Sequence, residues 1–469
     1  MKKREKKDGR TRRPPVNVSS GASHPFRTIR GKDGARSNEA DSALGGLGAS
    51  TELVQIEKPI YGGAFLARVE GKAVFVPLTL PGEQADVRIV EEKRGYATAE
   101  VDGIVIPAPE RVAPACRHFG ACGGCQYQHA NYAAQLEFKK AILRETLERG
   151  GVQAPDEIAV LAAEPWAYRN RIRVAFDKEG RPGYRGRRSH AVVPIEECPI
   201  AAPTLVKAAF TAAELFRRFA VPSRPAELSL FCYAAEDSML ASVFTDGEAR
   251  IPLTDYFGAL VPQIPALRGV ELVEIRQGQP KTVARTGTES ISYRAAGFDY
   301  RVDHGAFFQV NRWLVDGLVE RVTGGQSGKL AWDLFAGVGL FARQLAKNFA
   351  RVTAVESAPA ATKALGENLR GTRATAVKAA TLEFLRGARQ SERPDLIVAD
   401  PPRTGLGAET TALLAEIGAP AVTYVSCDPA TLARDLRALI GGGYAIDGVS
   451  LADLFPQTFH LETVVRLRR

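Results

Sequence analysis

From about residue 330 onward, hydrophobic positions fall into two alternating periods. Short continuous apolar runs at 330–334, 351–356, 395–399 and 422–425 read as buried strands. Between them, 340–348, 359–369 and 409–417 repeat apolar residues at helical spacing. This alternation predicts an α/β fold, with a doubly wound, Rossmann-like parallel sheet in residues 297–469. A last strand is predicted over 462–467, where leucine and valine alternate with polar residues.

The first half of the chain has a different grain. Near 54–56, 73–76 and 85–89 the apolar residues alternate or run for only a few positions, and Tyr61-Gly62-Gly63 and Leu80-Pro81-Gly82 interrupt them. Short strands separated by glycine turns predict a small β-barrel over 52–105. Such barrels often bind nucleic acid, which is analogy of fold. Residues 106–296 read as a mixed α/β central domain, with helices at 132–147 and 205–219 and strands at 228–233 and 240–244. Residues 1–50 have few large apolar anchors and are expected to be a disordered basic tail.

Length and charge narrow the class. A chain of 469 residues is too long for one core, so two or three domains are expected. No apolar run is long enough to span a bilayer, and the N-terminal segment lacks the apolar stretch of a secretory signal. A cytoplasmic, monomeric protein with no membrane partner is expected. The formal charge of +9 is concentrated at one end: residues 1–50 carry 12 Lys and Arg against 5 Asp and Glu, the rest 50 against 48. The tail is suited to touching phosphates, whereas a basic face on the nearly neutral body is not legible in sequence.

Three constellations carry chemistry. Asp333-Leu334-Phe335-Ala336-Gly337-Val338-Gly339 joins a strand to a helix, a tight turn on which backbone can press against a ligand. Glu356 ends the next strand, 23 residues after Asp333, where a carboxylate can accept ribose hydroxyls. A third glycine is missing, so S-adenosylmethionine, which has no pyrophosphate, fits better than a dinucleotide. Asp400-Pro401-Pro402-Arg403 places a further carboxylate at the same sheet edge. The second constellation is Cys427 in Ser426-Cys427-Asp428-Pro429, a thiol at a strand end, readable either as a nucleophile or as a small buried residue. The third is Cys116, Cys122, Cys125 and Cys198, four thiols that suit a tetrahedral zinc or an iron–sulfur cluster. Zinc usually takes paired knuckles on both sides, and here one side is a single cysteine before Pro199, which favours iron–sulfur.

Taken in order, Cys116-x5-Cys122-Gly123-Gly124-Cys125 with Cys198, Phe307-Phe308-Gln309-Val310-Asn311, Asp400-Pro401-Pro402-Arg403, Ser426-Cys427-Asp428-Pro429 and Asp453-Leu454-Phe455-Pro456-Gln457-Thr458 through Glu462 resemble the RNA 5-methyluridine methyltransferases. The likeness covers about 52–469 and is strongest to the bacterial 23S rRNA members that carry a [4Fe-4S] cluster. It implies a TRAM domain over the predicted barrel and an rRNA substrate, with tRNA as the alternative. It also implies methyl transfer from S-adenosylmethionine to uridine C5, with Cys427 as nucleophile and Glu462 as base. By the same resemblance Gln309, Phe335, Gly337, Leu340, Glu356 and Asp400 contact the cofactor, Phe307 packs on the target base, and the four cysteines ligate the cluster. The chain departs from the family at Ala336, where cysteine is frequent, and at Leu340, where Thr or Asn is common. The chemistry is consistent without the name, because uracil C5 becomes nucleophilic once a thiolate has added at C6. A non-catalytic RNA-binding protein is the reading from a different class.

Overall fold

A computed structural model describes residues 51–218, 225–248, 251–390 and 392–469; the expected tail at 1–50 lies outside them. The first six strands, Thr51–Gln55, Lys58–Pro59, Ala64–Val69, Lys72–Pro77, Gln84–Glu92 and Tyr96–Ile106, curl into one sheet in the order 1-5-6-4-3-2. The alternating pattern predicts a small β-barrel here, and the sheet forms a half-barrel. Phe65, Val74, Val76, Val87 and Ala99 fill its inside. Glu83 is buried there and held at its two oxygens by Arg111 (2.5 and 2.7 Å) and by the Leu80 and Ala108 N–H groups. A buried carboxylate needs that number of donors to offset lost hydration.

The central sheet has seven strands running Val192–Pro194, Pro182–Arg185, Arg171–Phe176, Pro225–Cys232, Met239–Asp246, Leu267–Arg276 and Gln279–Gly287. Helices Pro203–Arg218 and Leu253–Leu260 cover one face through Leu205, Ala209, Phe216 and Tyr256.

The C-terminal sheet has eight strands. Ala374–Lys378, Phe349–Glu356, Gly328–Leu334, Leu396–Ala399 and Ala421–Ser426 run parallel. Glu462–Arg468 then inserts antiparallel between Ala421–Ser426 and Ala445–Ala452. The sheet is therefore mixed rather than wholly parallel. Continuous Val/Ile/Leu runs appear where both faces are covered, as Leu396–Ala399 shows with every residue buried. Ala374–Lys378 has no buried residue, and Ala445–Ala452 carries a register shift at Gly448. Neither presents an apolar run, and neither is apparent in the sequence.

The outermost strand of this sheet, Ala159–Leu161, comes from far earlier in the chain and pairs parallel with Ala445–Ala452. Helix Tyr132–Arg149 packs on the same layer through Ile142, Leu143 and Leu147. The sequence division at 297 is thus not a division in packing. The helix is fastened by a fully buried ion pair, Lys139 Nζ to Asp453 Oδ1 at 2.5 Å, and Lys139 also donates to the Phe455 carbonyl at 2.9 Å. Burial pulls the Lys139 ammonium below its usual range and Asp453 acts against that pull.

Lys139→Met is expected to destabilise the protein by about 3–5 kcal/mol in urea unfolding, because it strands Asp453 without a cation. The double variant Lys139→Met/Asp453→Leu should recover much of that loss. A single variant as stable as the native chain would contradict the pairing.

Candidate active site

Three strand ends meet at the carboxyl edge of the C-terminal sheet. Ser426 pairs with Thr463 across the antiparallel ladder, so the next residues outward, Cys427 and Glu462, face each other. Directly opposed residues in such a ladder lie about 4.5–5.5 Å apart at Cα. Leu396–Ala399 lies beside Ala421–Ser426 in parallel, and Asp400 leaves at the same end. Cys427 is partly exposed, whereas Glu462 is 7% exposed. The thiol is reachable from solvent, and the carboxylate is buried.

The electrostatics follow from burial. The Cys427 thiol is pushed up to about 12 by burial, then by the charges of Glu462 and Asp400, against the pull of Arg403. Glu462 is raised well above the ordinary carboxylate range by burial and by Asp400, with Arg403 opposing. Asp400 is raised to about 7 by burial. Two acids that interact in one buried site resist carrying negative charge together. Arg403 is the nearby cation, and it also reaches His460 Nδ1 at 3.2 Å. Burial and Arg403 lower His460 to about 3, which keeps its ring neutral.

The glycine turn adjoins this edge. Asp333 is buried, and its Oδ2 accepts from Ala342 N at 2.8 Å, capping the helix Leu340–Asn348. Burial raises its carboxyl to about 8. Phe335 holds φ of 64° and Gly337 φ of 57°, left-handed backbone that a non-glycine residue adopts at a cost of about 1–3 kcal/mol. Gly339, at φ 90°, lies so close to Leu365 that a Cβ would stand 2.9 Å from Cδ1. Glu356 closes the turn from below: Oε2 accepts from Gly337 N at 2.9 Å, and Oε1 from Ser357 and Ala358 N at 2.6 Å each. The expectation from sequence gives Glu356 to ribose; here its oxygens also brace the turn. Leu340 is buried in the core, so only its backbone, at the start of the helix, is left to face a ligand.

The 307–311 segment lies between the two halves. Phe307 is 61% exposed while Phe308 is buried. Asn170 Nδ2 donates to the Gln309 carbonyl at 2.9 Å, and Asn311 Nδ2 to the Leu454 carbonyl at 3.2 Å. Residues 453–459, which lead into Glu462, are held from several sides. Gln126 and Tyr127 N–H both donate to the Gln457 carbonyl (2.9 and 3.0 Å), Gln135 makes two bonds with Gln457 at 2.9 Å, and Tyr168 donates to the Pro456 carbonyl at 3.0 Å. Sequence reasoning did not single out Lys139, Gln135 or Gln126, because their partners lie more than 300 positions away.

Cys116, Cys122, Cys125 and Cys198 line one cavity of about 80 Å3. Among the described residues no three His, Cys, Asp or Glu side chains form a group able to hold a metal ion. The four cysteines share this one hollow. Arg169 also lines the cavity, and its Nε is buried with no hydrogen-bond partner. A guanidinium Nε shut off from solvent without an acceptor suits a neighbouring anion, which four thiolates around a metal centre supply. The donor set fits an anionic, thiolate-bound centre, either an iron–sulfur cluster or a zinc ion. Cys125 lies immediately before Gln126, so this corner is joined directly to the segment that ends in Glu462.

The fold and this site define the class: a methyltransferase with a doubly wound sheet and an N-terminal RNA-binding half-barrel. Residues 287–469 match the family described as tRNA (Uracil-5-)-methyltransferase, and residues 49–101 match the TRAM domain. A 23S rRNA (uracil(1939)-C(5))-methyltransferase of Halomonas elongata is 31% identical, over 95% of this chain and 96% of its own. Its counterpart in Chromohalobacter salexigens is 32% identical, over 98% and 95%. The crystal structure of the Pyrococcus abyssi tRNA (uracil-54, C5)-methyltransferase with S-adenosyl-L-homocysteine has a TM-score of 0.71 and 26% identity, covering 89% of this chain and all of that one. The chain belongs to the TRAM-domain RNA uracil-C5 methyltransferases. It is an enzyme that uses S-adenosylmethionine to methylate C5 of uridine in RNA. No described helix is long and apolar enough to cross a membrane.

The charges around Cys427 make a measurable prediction. Removing a neighbouring negative charge favours the thiolate, so Glu462→Gln should lower the pH midpoint for alkylation of Cys427 by iodoacetamide, followed by peptide mass spectrometry. Arg403→Met should raise it. Midpoints that do not move in opposite directions would contradict the arrangement.

Proposed function

We propose that Cys427 adds to C6 of the target uridine and Glu462 removes the C5 proton. The opposition of these two residues across adjacent strand ends, beside Asp400, is the observation that supports it. The Cys427 sulfur attacks C6, and the C5–C6 electron pair moves to O4 as an enolate. The thiol proton leaves to water at the partly exposed sulfur, so a carboxylate of the Asp400–Glu462 pair stays free for the later step, and its raised affinity for protons suits that task. C5 then takes the methyl group from the sulfonium, and S-adenosylhomocysteine leaves. A carboxylate of the pair removes the C5 proton, the C5–C6 double bond re-forms, and the thiolate is expelled. Arg403 limits the negative charge that accumulates.

Gln309, Phe335, Gly337, the backbone of Leu340, Glu356 and Asp400 would hold the methyl donor, and Phe307 would pack on the extruded base. Such a base must leave its stack, so an unpaired uridine is the cheaper substrate. The family matched by 287–469 and the solved relative are both named for tRNA, which supports a tRNA uridine as the target. The sequence expectation of 23S rRNA is the second reading, supported by the two nearly full-length relatives. An RNA substrate supports the cytoplasmic expectation, and reacting groups supplied by one chain support a monomer.

The four cysteines would hold a [4Fe-4S] cluster, which when bound supplies negative charge beside Arg169 and cross-links the cysteine loop. The unpaired Arg169 Nε supports this reading. Protein purified without oxygen should be brown and carry roughly four irons per chain; colourless, zinc-loaded protein would refute the cluster.

Cys427→Ser should lower turnover on the order of 10^4-fold or more while donor binding persists. Glu462→Gln should accumulate a protein–RNA adduct on denaturing gels. With labelled methyl donor, tRNA from cells lacking this gene should be the RNA labelled. Label in 23S rRNA alone would overturn the tRNA assignment, and label in neither would overturn the reaction.

A further inference from the structure

A groove of about 740 Å3 runs beside the turn that carries Cys427. Tyr61 of the half-barrel, the end of helix Tyr132–Arg149 and the start of helix Pro429–Gly441 enclose it. Arg149, Arg434 and Arg437 stand on its walls, all exposed, and no carboxylate lines it. Arg434 is engaged with Asp435 and the Thr404 carbonyl at 2.9 Å each. Arg149 and Arg437 have no ion pair or side-chain hydrogen bond among the described residues. In the floor, a Cβ on Gly150 would stand 2.6 Å from the Ala433 Cβ. The two helices touch there, so cations from both surround one depression.

One end of the groove, at Tyr61 and Pro429, lies next to the turn that carries Cys427. Tyr61 Oη lies 3.4 Å from Asp428 Oδ2, one residue past Cys427, and the Tyr61 ring meets Phe459 edge-on at 5.5 Å. Asp428 is also the cap of Pro429–Gly441, accepting from Ala430 and Thr431 N–H. Outside residues 1–50 the chain is nearly neutral in formal charge. Arg149 and Arg437, without ion pairs on a groove that no carboxylate lines, are therefore a local feature and not a reflection of overall charge.

We propose that this groove holds the single-stranded RNA backbone flanking the target uridine. Phosphates lie against Arg149 and Arg437, and Tyr61 marks the point where the base turns toward Cys427. A strand with one extruded base is unpaired on either side of it, and unpaired RNA is held by cationic grooves with an aromatic platform. The inference rests on the reaction proposed above and assigns the substrate path into that site.

The test is the salt dependence of RNA binding, measured by fluorescence anisotropy on full-length protein with a tRNA transcript and a 23S rRNA fragment. Arg149→Gln/Arg437→Gln should bind roughly tenfold more weakly at 0.15 M salt, and its plot of log K against log salt should be shallower by about 1.4, two contacts at about 0.7 each. Donor affinity and the urea midpoint should stay unchanged. Equal affinity and equal slope would overturn the groove, and would leave an acidic protein segment as its alternative occupant. The two proposals fail separately. Native protein that binds RNA through this groove but methylates none would sink the reaction alone. Native methylation with an unaltered salt slope in the variant would sink the groove alone.

Discussion

The antiparallel pairing of Glu462–Arg468 with Ala421–Ser426 is the constraint on which the site depends. A wholly parallel sheet would bring every strand end out at the same edge but would send a final strand's first residue to the opposite one. Reversing a single strand places the beginning of Glu462–Arg468 beside the end of Ala421–Ser426. The thiol and the carboxylate thereby face each other although they come from separate turns. A register slip of one residue would reverse every side chain of that strand. Val464, Val465 and Leu467 are buried on this sheet, so apolar packing on both faces fixes the register that the chemistry needs.

Fixing the strand is not enough, because the segment before it must also be held. Residues 453–459 carry Gln457 in left-handed backbone at φ 69°, an unfavourable conformation for a side-chain-bearing residue. Neighbouring parts of the chain over-determine it: the loop after Cys125, helix Tyr132–Arg149 and Tyr168 all bond to it. This accounts for the course of the chain, in which an early helix and the strand Ala159–Leu161 are built into the late sheet. The cysteine cavity is one end of the same support. The site is also unfriendly to charge, with a thiol and two acids all held toward their neutral forms and Arg403 as compensation. Such a pocket raises the proton affinity of the carboxylate that takes up the C5 proton in the proposed elimination.

Much of this was legible in the sequence, and the remainder has definite physical reasons. The C-terminal strands are visible as apolar runs because both faces are covered, and helix Leu340–Asn348 is readable to its bounds. Strand Ala374–Lys378 is exposed at the sheet edge and leaves no hydrophobic signal. The direction of Glu462–Arg468 is invisible because alternation reads the same forward and backward. Cys427, Glu462 and Asp400 were identifiable from type and motif, whereas Lys139 and Arg169 were not. Lysine or arginine in sequence usually signals a solvated surface, and only the fold shows Lys139 fully buried and the Arg169 Nε shut off from solvent. The arginine groove is likewise assembled from two helices that are nearly 300 positions apart.

The central claim is that the Cys427 sulfur bonds to uridine C6 while a methyl group is delivered to C5. It is tested most directly with RNA in which uridine is replaced by 5-fluorouridine. The fluorine cannot leave as a cation, so the methylated ring should stay attached to the enzyme. Peptide mass spectrometry of the trapped species should find one nucleotide, one added methyl group and the linkage on Cys427. A linkage on another residue, or methyl transfer from the donor with no covalent species at all, would contradict the account.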